Sequence, residues 1–128
     1  MHIPFETTKI ENMKKKVLVI DDEQDACNLM SLFFRRHGFD VVSAVTLQEG
    51  LQQIETQHPD IIFLDNQLPD GFGWDYTSNI VSKYPDVDLN LISAYNKQTI
   101  DFSKYPKVKM WQKPLSYNRL LTEFEKRV

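Results

Sequence analysis

Short apolar runs alternate along the chain with stretches in which apolar residues recur every three or four positions. The clearest runs are residues 17–20 and 61–64, and each of them leads directly into aspartate. Four apolar residues bounded by polar ones predict a strand buried on both faces, which is typical of a parallel sheet. The same pattern predicts further strands at residues 40–44, 89–92 and 108–111.

The stretches between these runs have the apolar spacing of amphipathic helices. They predict helices over residues 23–37, 46–58, 72–84, 94–106 and 116–128. Thr46 and Glu49 form a capping box at the second helix, Gly38 stops the first, and Ser116 caps the last. The first helix has a predicted buried stripe of Ala26, Leu29, Met30 and Phe33. The fourth helix has the weakest pattern, because it contains few apolar positions and ends at Pro106.

Five strand–helix pairs in regular alternation indicate an α/β fold with helices on both faces of a parallel sheet. We predict a (βα)5 doubly wound, five-stranded sheet with the strand order 2-1-3-4-5. Residues 14–128 form this single domain, and residues 1–13 are interpreted as an N-terminal extension that is disordered or covers a sheet edge. Because the chain ends with the fifth helix, we expect no attached output domain.

Composition narrows the classes of function. The chain has 128 residues, is 41% hydrophobic and 26% charged, and has a net charge of −3, which argues against nucleic-acid binding by bulk electrostatics. No apolar run approaches the roughly 20 residues that cross a membrane, and the N-terminus lacks a secretory signal. Cys27 is the only cysteine, which fits helix packing in a reducing cytoplasm.

Five polar side chains follow the ends of predicted strands: Asp21, Asp22, Asp65, Ser93 and Lys113. The carboxyl ends of parallel strands meet at one edge of a sheet, where open α/β folds bind their ligands. Three carboxylates in one small pocket repel each other unless a cation is present, and Mg²⁺ prefers such oxygen ligands. A lysine and a serine nearby suit the phosphoryl oxygens of an in-line transfer to a carboxylate. Asp65 is the predicted acceptor, because the adjacent Asp21 and Asp22 are better placed as metal ligands.

Each of these residues also has a simpler interpretation. Asp21-Asp22 suits the N-cap of the first helix, Ser93 a local backbone partner, and Lys113 the surface. We favour the site because all five residues fall at the same sheet edge.

The chain resembles the receiver domains of response regulators, the CheY-like family of two-component signalling, which have a flavodoxin-like fold. The resemblance covers residues 15–128 and is carried by four segments: Val17-Leu-Val-Ile-Asp21-Asp22-Glu23, Ile62-Phe-Leu-Asp65-Asn-Gln-Leu-Pro69-Asp-Gly71, Ser93-Ala94 and Lys113-Pro114. Together these motifs are highly specific, whereas Asp-Asp or Lys-Pro alone is not.

The resemblance implies a role for each matching residue. Asp65 accepts a phosphoryl group from a phosphohistidine of a sensor histidine kinase or phosphotransfer protein. Asp22, Asp65 and the backbone carbonyl of Gln67 bind Mg²⁺, for which Mn²⁺ substitutes, and Asp21 acts through a bound water. Ser93 and Lys113 contact the phosphoryl group. The protein is then not an enzyme with a separate substrate, and it signals to a downstream protein or through a homodimer.

Two features depart from the family pattern. Met110 stands three positions before Lys113, where the family usually has a switching aromatic residue, and the fourth helix is weak. These departures favour an alternative, a degenerate receiver that binds partners without phosphorylation. The intact set of site residues speaks against it: Asp21, Asp22, Asp65, Ser93 and Lys113. A second alternative is a Mg²⁺-dependent phosphotransferase or phosphatase for small molecules. It is disfavoured because Gln67 occupies the position of the usual general acid.

Overall fold

A parallel five-stranded sheet forms the centre of the molecule. The computed structural model describes residues 14–94 and 101–125. The strands are β1 (Lys16–Ile20), β2 (Asp40–Ala44), β3 (Ile61–Asp65), β4 (Asp88–Ser93) and β5 (Lys109–Gln112). Their order is 2-1-3-4-5 and every pairing is parallel, so the predicted fold class and strand order are confirmed.

Helices cover both faces of this sheet. They are α1 (Gln24–Arg36), α2 (Leu47–Gln57), α3 (Thr77–Lys83) and α4 (Tyr117–Phe124). The predicted caps are present: Oγ1 of Thr46 accepts a hydrogen bond from the backbone N–H of Glu49, and the Ser116 side chain accepts one from Arg119. No helix in the described ranges is long and apolar enough to cross a membrane.

The third helix begins later than residue 72, where the sequence pattern placed its start. The chain first makes a short antiparallel hairpin between Gln67–Leu68 and Gly71–Phe72, followed by a 3-10 turn at Gly73–Tyr76. Pro69-Asp70 is a strong turn signal, which explains the hairpin. At Gly73 a Cβ atom would lie 2.2 Å from the backbone oxygen of Asp65, so this close approach requires glycine.

Three predictions fall wholly or partly outside the described residues. The N-terminal extension, residues 1–13, lies outside them, as do residues 95–100 of the predicted fourth helix and residues 126–128 of the predicted last helix. The described remainder of the fourth-helix segment contains a single 3-10 turn, Phe102–Lys104, whose start is capped by the Asp101 side chain. The low apolar content of this segment accounts for the irregular backbone there.

The core consists of one apolar layer on each face of the sheet. Helices α1 and α4 cover the layer that contains Val17, Val19, Phe63, Ile92 and Trp111. Helices α2 and α3 cover the layer that contains Leu18, Ile20, Ile62, Leu64, Leu89 and Leu91. The buried residues of α1 are Cys27, Met30, Phe33 and Phe34, so the predicted stripe is wrong at Leu29, which is only half-buried.

Candidate functional site

Three carboxylates converge at the carboxyl ends of β1 and β3. Asp21, Asp22 and Asp65 offer oxygen atoms that all lie within 4.8 Å of one another. They meet because β1 and β3 are neighbours in a register that pairs Ile20 with Leu64, one residue before each acidic position. Asp21 and Asp65 are buried and Asp22 is exposed, so the cluster is open to solvent on one side.

The ammonium of Lys113 lies among these carboxylates. Its Nζ is 3.0 Å from Oδ2 of Asp21 and 3.4 Å from Oδ2 of Asp65, and it also pairs with Glu23. The backbone of Lys113 is fixed at the same edge, because its N–H donates a 2.8 Å hydrogen bond to the carbonyl of Ser93 at the end of β4. Burial alone would lower the pKa of Lys113, but hydrogen bonds to Glu23 and Asp21 outweigh it and raise that pKa.

The carboxyl group of Asp65 has a strongly raised pKa. Its Oδ1 accepts a 2.9 Å hydrogen bond from the backbone N–H of Asn66. Burial raises the pKa of Asp65 to about 7, the negative charge of Asp21 adds to this shift, and Lys113 opposes it. The ionised form of Asp65 is therefore destabilised in the folded protein, and any additional positive charge nearby would stabilise it.

The donor set fits a hard divalent cation. Within residues 14–94 and 101–125, no well-aligned hydrogen bond reaches Oδ2 of Asp21, although this atom is buried and Lys113 Nζ is nearby. A buried carboxylate oxygen without a hydrogen bond is costly. A water bound to Mg²⁺ would donate to it, and the neighbouring oxygens of Asp22 and Asp65 are ligands of the type that Mg²⁺ prefers.

The hairpin after β3 forms one wall of the cleft above the cluster. This cleft has a volume of about 410 Å³ and is lined by Asp22, Glu23, Asp65, Asn66, Gln67, Leu68, Pro69, Ala94 and Lys113. The hairpin is tied to α2 by Asp70, whose two carboxylate oxygens accept hydrogen bonds of 2.7 and 2.9 Å from the backbone N–H groups of Leu47 and Gln48. Gln67, the predicted carbonyl ligand, is thereby held on a braced loop.

The other two predicted positions lie where the strand ends place them. Ser93 is buried at the end of β4, one residue beyond the partner of Asp65 in the register. Met110 is half-buried and packs against the core layer on the α2 and α3 side, whereas its neighbour Trp111 is buried in the opposite layer. The sheet therefore has methionine at the position where the family usually has its aromatic residue.

Sequence reasoning missed two residues that shape the site. Glu23 stands next to Asp22 and reaches Lys113, and Asp70 caps a helix that begins 23 residues earlier in the chain. The acidic run Asp21-Asp22-Glu23 was a visible signal for the first. The sequence Pro69-Asp70-Gly71 predicted a turn, but it gave no indication that Asp70 caps α2.

The fold and the acidic edge define a class of signalling domain. The family model of the response regulator receiver domain matches residues 17–125, so the chain belongs to this family. Such domains act in two-component systems.

Curated relatives are similar over part of their length. The transcriptional regulatory protein PhoP of Bacillus subtilis is 44% identical over 57 residues, which are 44% of this chain and 24% of that protein. KdpE of Escherichia coli is 32% identical over 83 residues, which are 65% of this chain and 36% of that protein. The chain thus spans well under half the length of these relatives.

Solved structures share the fold. The response regulator protein TrrA of Thermotoga maritima, in complex with Mg²⁺ and BeF, has a TM-score of 0.76 at 24% identity, covering 89% of this chain and 99% of that one. A CheY-like receiver domain of Methanospirillum hungatei also has a TM-score of 0.76, at 22% identity and with 89% and 93% of the two chains covered.

Proposed function

We propose that Asp65 accepts a phosphoryl group from the phosphohistidine of a histidine kinase or phosphotransfer protein, in a reaction that depends on Mg²⁺. The observation that carries this proposal is the convergence of the Lys113 ammonium and two further carboxylates on Asp65. The signal is then a phosphorylation-dependent contact with another protein. Residues 14–128 carry this function, and the buried free thiol of Cys27 suits the cytoplasmic setting that we assume.

The proposed reaction is a single phosphoryl transfer. A carboxylate oxygen of Asp65 forms the new P–O bond as the P–N bond of the phosphohistidine breaks, and the departing imidazole keeps the electron pair and takes up a proton. Asp65 must be ionised to attack, and its raised pKa means that added positive charge favours the reactive form.

The proposed roles of the surrounding residues follow from their positions. Asp21, Asp22, Asp65 and the backbone carbonyl of Gln67 would hold Mg²⁺, or Mn²⁺ in its place. The cation would supply charge stabilisation for the transferring group.

Two further side chains would act on the phosphoryl group itself. Lys113 is 3.4 Å from Oδ2 of Asp65 and would stabilise charge on the phosphoryl oxygens. The Ser93 hydroxyl, at the end of β4, would donate a hydrogen bond to one of them.

Output would arise by a shift between two arrangements of the edge formed by β4 and β5. The backbone hydrogen bond from the N–H of Lys113 to the carbonyl of Ser93 links the two strand ends, so a shift of one strand end would be passed to the other. An unidentified downstream protein, or a second copy of the chain, would recognise the new arrangement.

Intact-mass spectrometry after incubation with acetyl phosphate and Mg²⁺ tests this function. We expect one phosphoryl adduct that is lost in Asp65→Ala and when EDTA replaces Mg²⁺. Asp86→Ala, at an exposed position away from the cleft, is the matched control and should keep the adduct. The absence of any adduct in the wild type would favour the phosphorylation-independent scaffold, the alternative that Met110 supports.

A further inference from the structure

We infer that Glu23 is a positioning residue that clamps Lys113 in the resting protein and restrains phosphorylation of Asp65. The inference rests on the proposed phosphotransfer function and adds a regulatory residue to the same site. It is carried by the ion pair between Oε1 of Glu23 and Nζ of Lys113.

All three N–H donors of the Lys113 ammonium are engaged by carboxylates. A lysine has three N–H donors, and Nζ of Lys113 faces three carboxylates, those of Asp21, Glu23 and Asp65. A phosphoryl oxygen on Asp65 therefore gains the ammonium only if one of these partners gives up its place.

Glu23 is the partner that costs least to release. Asp21 is fully buried, and Asp65 is itself the acceptor, whereas the Glu23 side chain is 62% exposed at the mouth of the cleft. Returning an exposed carboxylate to water is nearly neutral in free energy, but leaving a buried one unpaired is strongly unfavourable. Exchange of Lys113 from Glu23 to the phosphoryl group is thus the favourable route.

The position of Glu23 in α1 supports a dedicated role. Glu23 occupies the N-cap of α1, and its backbone N–H donates a 2.9 Å hydrogen bond to Oδ1 of Asp21. Its carboxylate makes no capping bond to the first turn of α1, which lies wholly in the described range, and extends across the cleft to Lys113. The residue thus has an extended backbone fixed to the site and a side chain directed at the lysine.

Breaking the clamp has a definite kinetic consequence. Glu23→Gln replaces the ion pair with Lys113 by a weaker, uncharged hydrogen bond and removes one negative charge from a cleft that an anionic phosphodonor must enter. Both changes should speed the reaction of Asp65 with acetyl phosphate, by about 3- to 10-fold at saturating Mg²⁺.

The variant Glu23→Asp distinguishes loss of the ion pair with Lys113 from loss of the negative charge. Aspartate keeps the negative charge but is shorter by one methylene, about 1.5 Å, and so does not reach Lys113. Aspartate is also a favoured N-cap residue, so α1 should remain folded. We expect this variant to react faster than the wild type, by a smaller factor than Glu23→Gln. Asp25→Asn, which removes an exposed charge from the first turn of α1, should react at the wild-type rate.

The experiment follows adduct formation by quenched-flow mass spectrometry for the wild type and the three variants, with Mg²⁺ affinity measured in parallel. A Glu23→Asp rate equal to that of the wild type would overturn the clamp and leave only an effect of charge. A Glu23→Gln variant that is slower, or that binds Mg²⁺ more than tenfold more weakly, would assign Glu23 to the cation. A wild type that forms no adduct would overturn the proposed function itself, which distinguishes the two failures.

Discussion

Nε1 of Trp111 donates a 2.8 Å hydrogen bond to Oδ1 of Asn90, and both side chains are buried between the sheet and α4. The amide nitrogen of Asn90 also donates to the carbonyls of Ile62 and Asp88. One polar side chain thereby links β3, β4 and β5 inside an apolar layer, directly below the strand ends that carry the site.

Replacing Asn90 should destabilise the protein because it leaves the indole N–H without its acceptor. We expect Asn90→Ala to lower the free energy of unfolding by about 2–4 kcal/mol, from the unpaired donor and the lost volume. Urea denaturation measures this, with the double variant Asn90→Ala/Trp111→Phe to isolate the pair. A coupling energy near zero would contradict the importance of the hydrogen bond.

Removing the Asp70 cap should destabilise the junction of the hairpin with α2. Asp70→Ala loses two hydrogen bonds to orphan N–H groups of that helix, so we expect a melting temperature lower by about 2–6 °C at pH 7. Hydrogen bonds from Gln48 and Leu47 hold the pKa of Asp70 below its ordinary value. The stabilisation is therefore present above the ordinary aspartate pKa and is lost as pH falls through the lowered one.

We therefore expect the melting temperatures of the wild type and Asp70→Ala to converge as pH falls from 7 to 3, and thermal melts over this range measure the difference. The matched control is Asp75→Ala, an exposed aspartate in the following 3-10 turn. Curves for wild type and Asp70→Ala that stay equally far apart at low pH would contradict the capping role.

Asp65 should make the metal-free protein less stable as pH rises. Its pKa is raised from the ordinary 3.8 to about 7 by burial and by Asp21, so the folded state holds a proton that the unfolded state releases between these values. The unfolded state binds fewer protons there, and stability must fall with rising pH across that window. Asp65→Asn, which does not ionise, should be more stable than the wild type at pH 8 by about 1–3 kcal/mol.

Urea denaturation in EDTA at pH 5 and pH 8 tests whether the free energy of unfolding falls as pH rises. Addition of Mg²⁺ at pH 8 should stabilise the wild type more than Asp65→Asn, because the ion binds only the folded site. A wild type whose stability is equal at both pH values would contradict the buried-carboxylate argument.

Two glycines should respond very differently to alanine. In Gly73→Ala the new Cβ would meet the Asp65 carbonyl at 2.2 Å, so the strand end or the 3-10 turn must shift. We expect a loss of about 2–4 kcal/mol in stability and slower phosphorylation. Gly38 has φ of +86° with open space around it, so Gly38→Ala should cost only about 1 kcal/mol and leave phosphorylation unchanged. Equal effects would contradict the proposed crowding at Asp65.

The sheet was predictable because its strands are continuous apolar runs, and short runs of this kind between turn signals are typical of buried parallel strands. The meeting of Asp22 with Asp65 also followed, since adjacent parallel strands end at the same edge. The position of each acidic residue therefore came from the topology, and no side-chain detail was needed.

Side-chain direction and loop geometry were not predictable in the same way. Phe34 is buried in place of Leu29 because its ring packs against Phe39, Phe63 and Phe124, which are contributed by other segments of the fold. The delayed start of α3 depends on the approach of Gly73 to the Asp65 backbone. Contacts of this kind form between segments and leave no local periodicity.

The pairing of Asp21 with Lys113 spans 92 positions of the chain. During synthesis, β1 and β3 leave the ribosome long before residue 113, and a nascent sheet would then enclose the Asp21 carboxylate without the ammonium of Lys113 beside it. Burial of such a charge is strongly unfavourable. We therefore expect a fragment that stops short of β5 to remain open at this edge in EDTA, so that the metal-free fold closes cooperatively only once the chain includes the lysine.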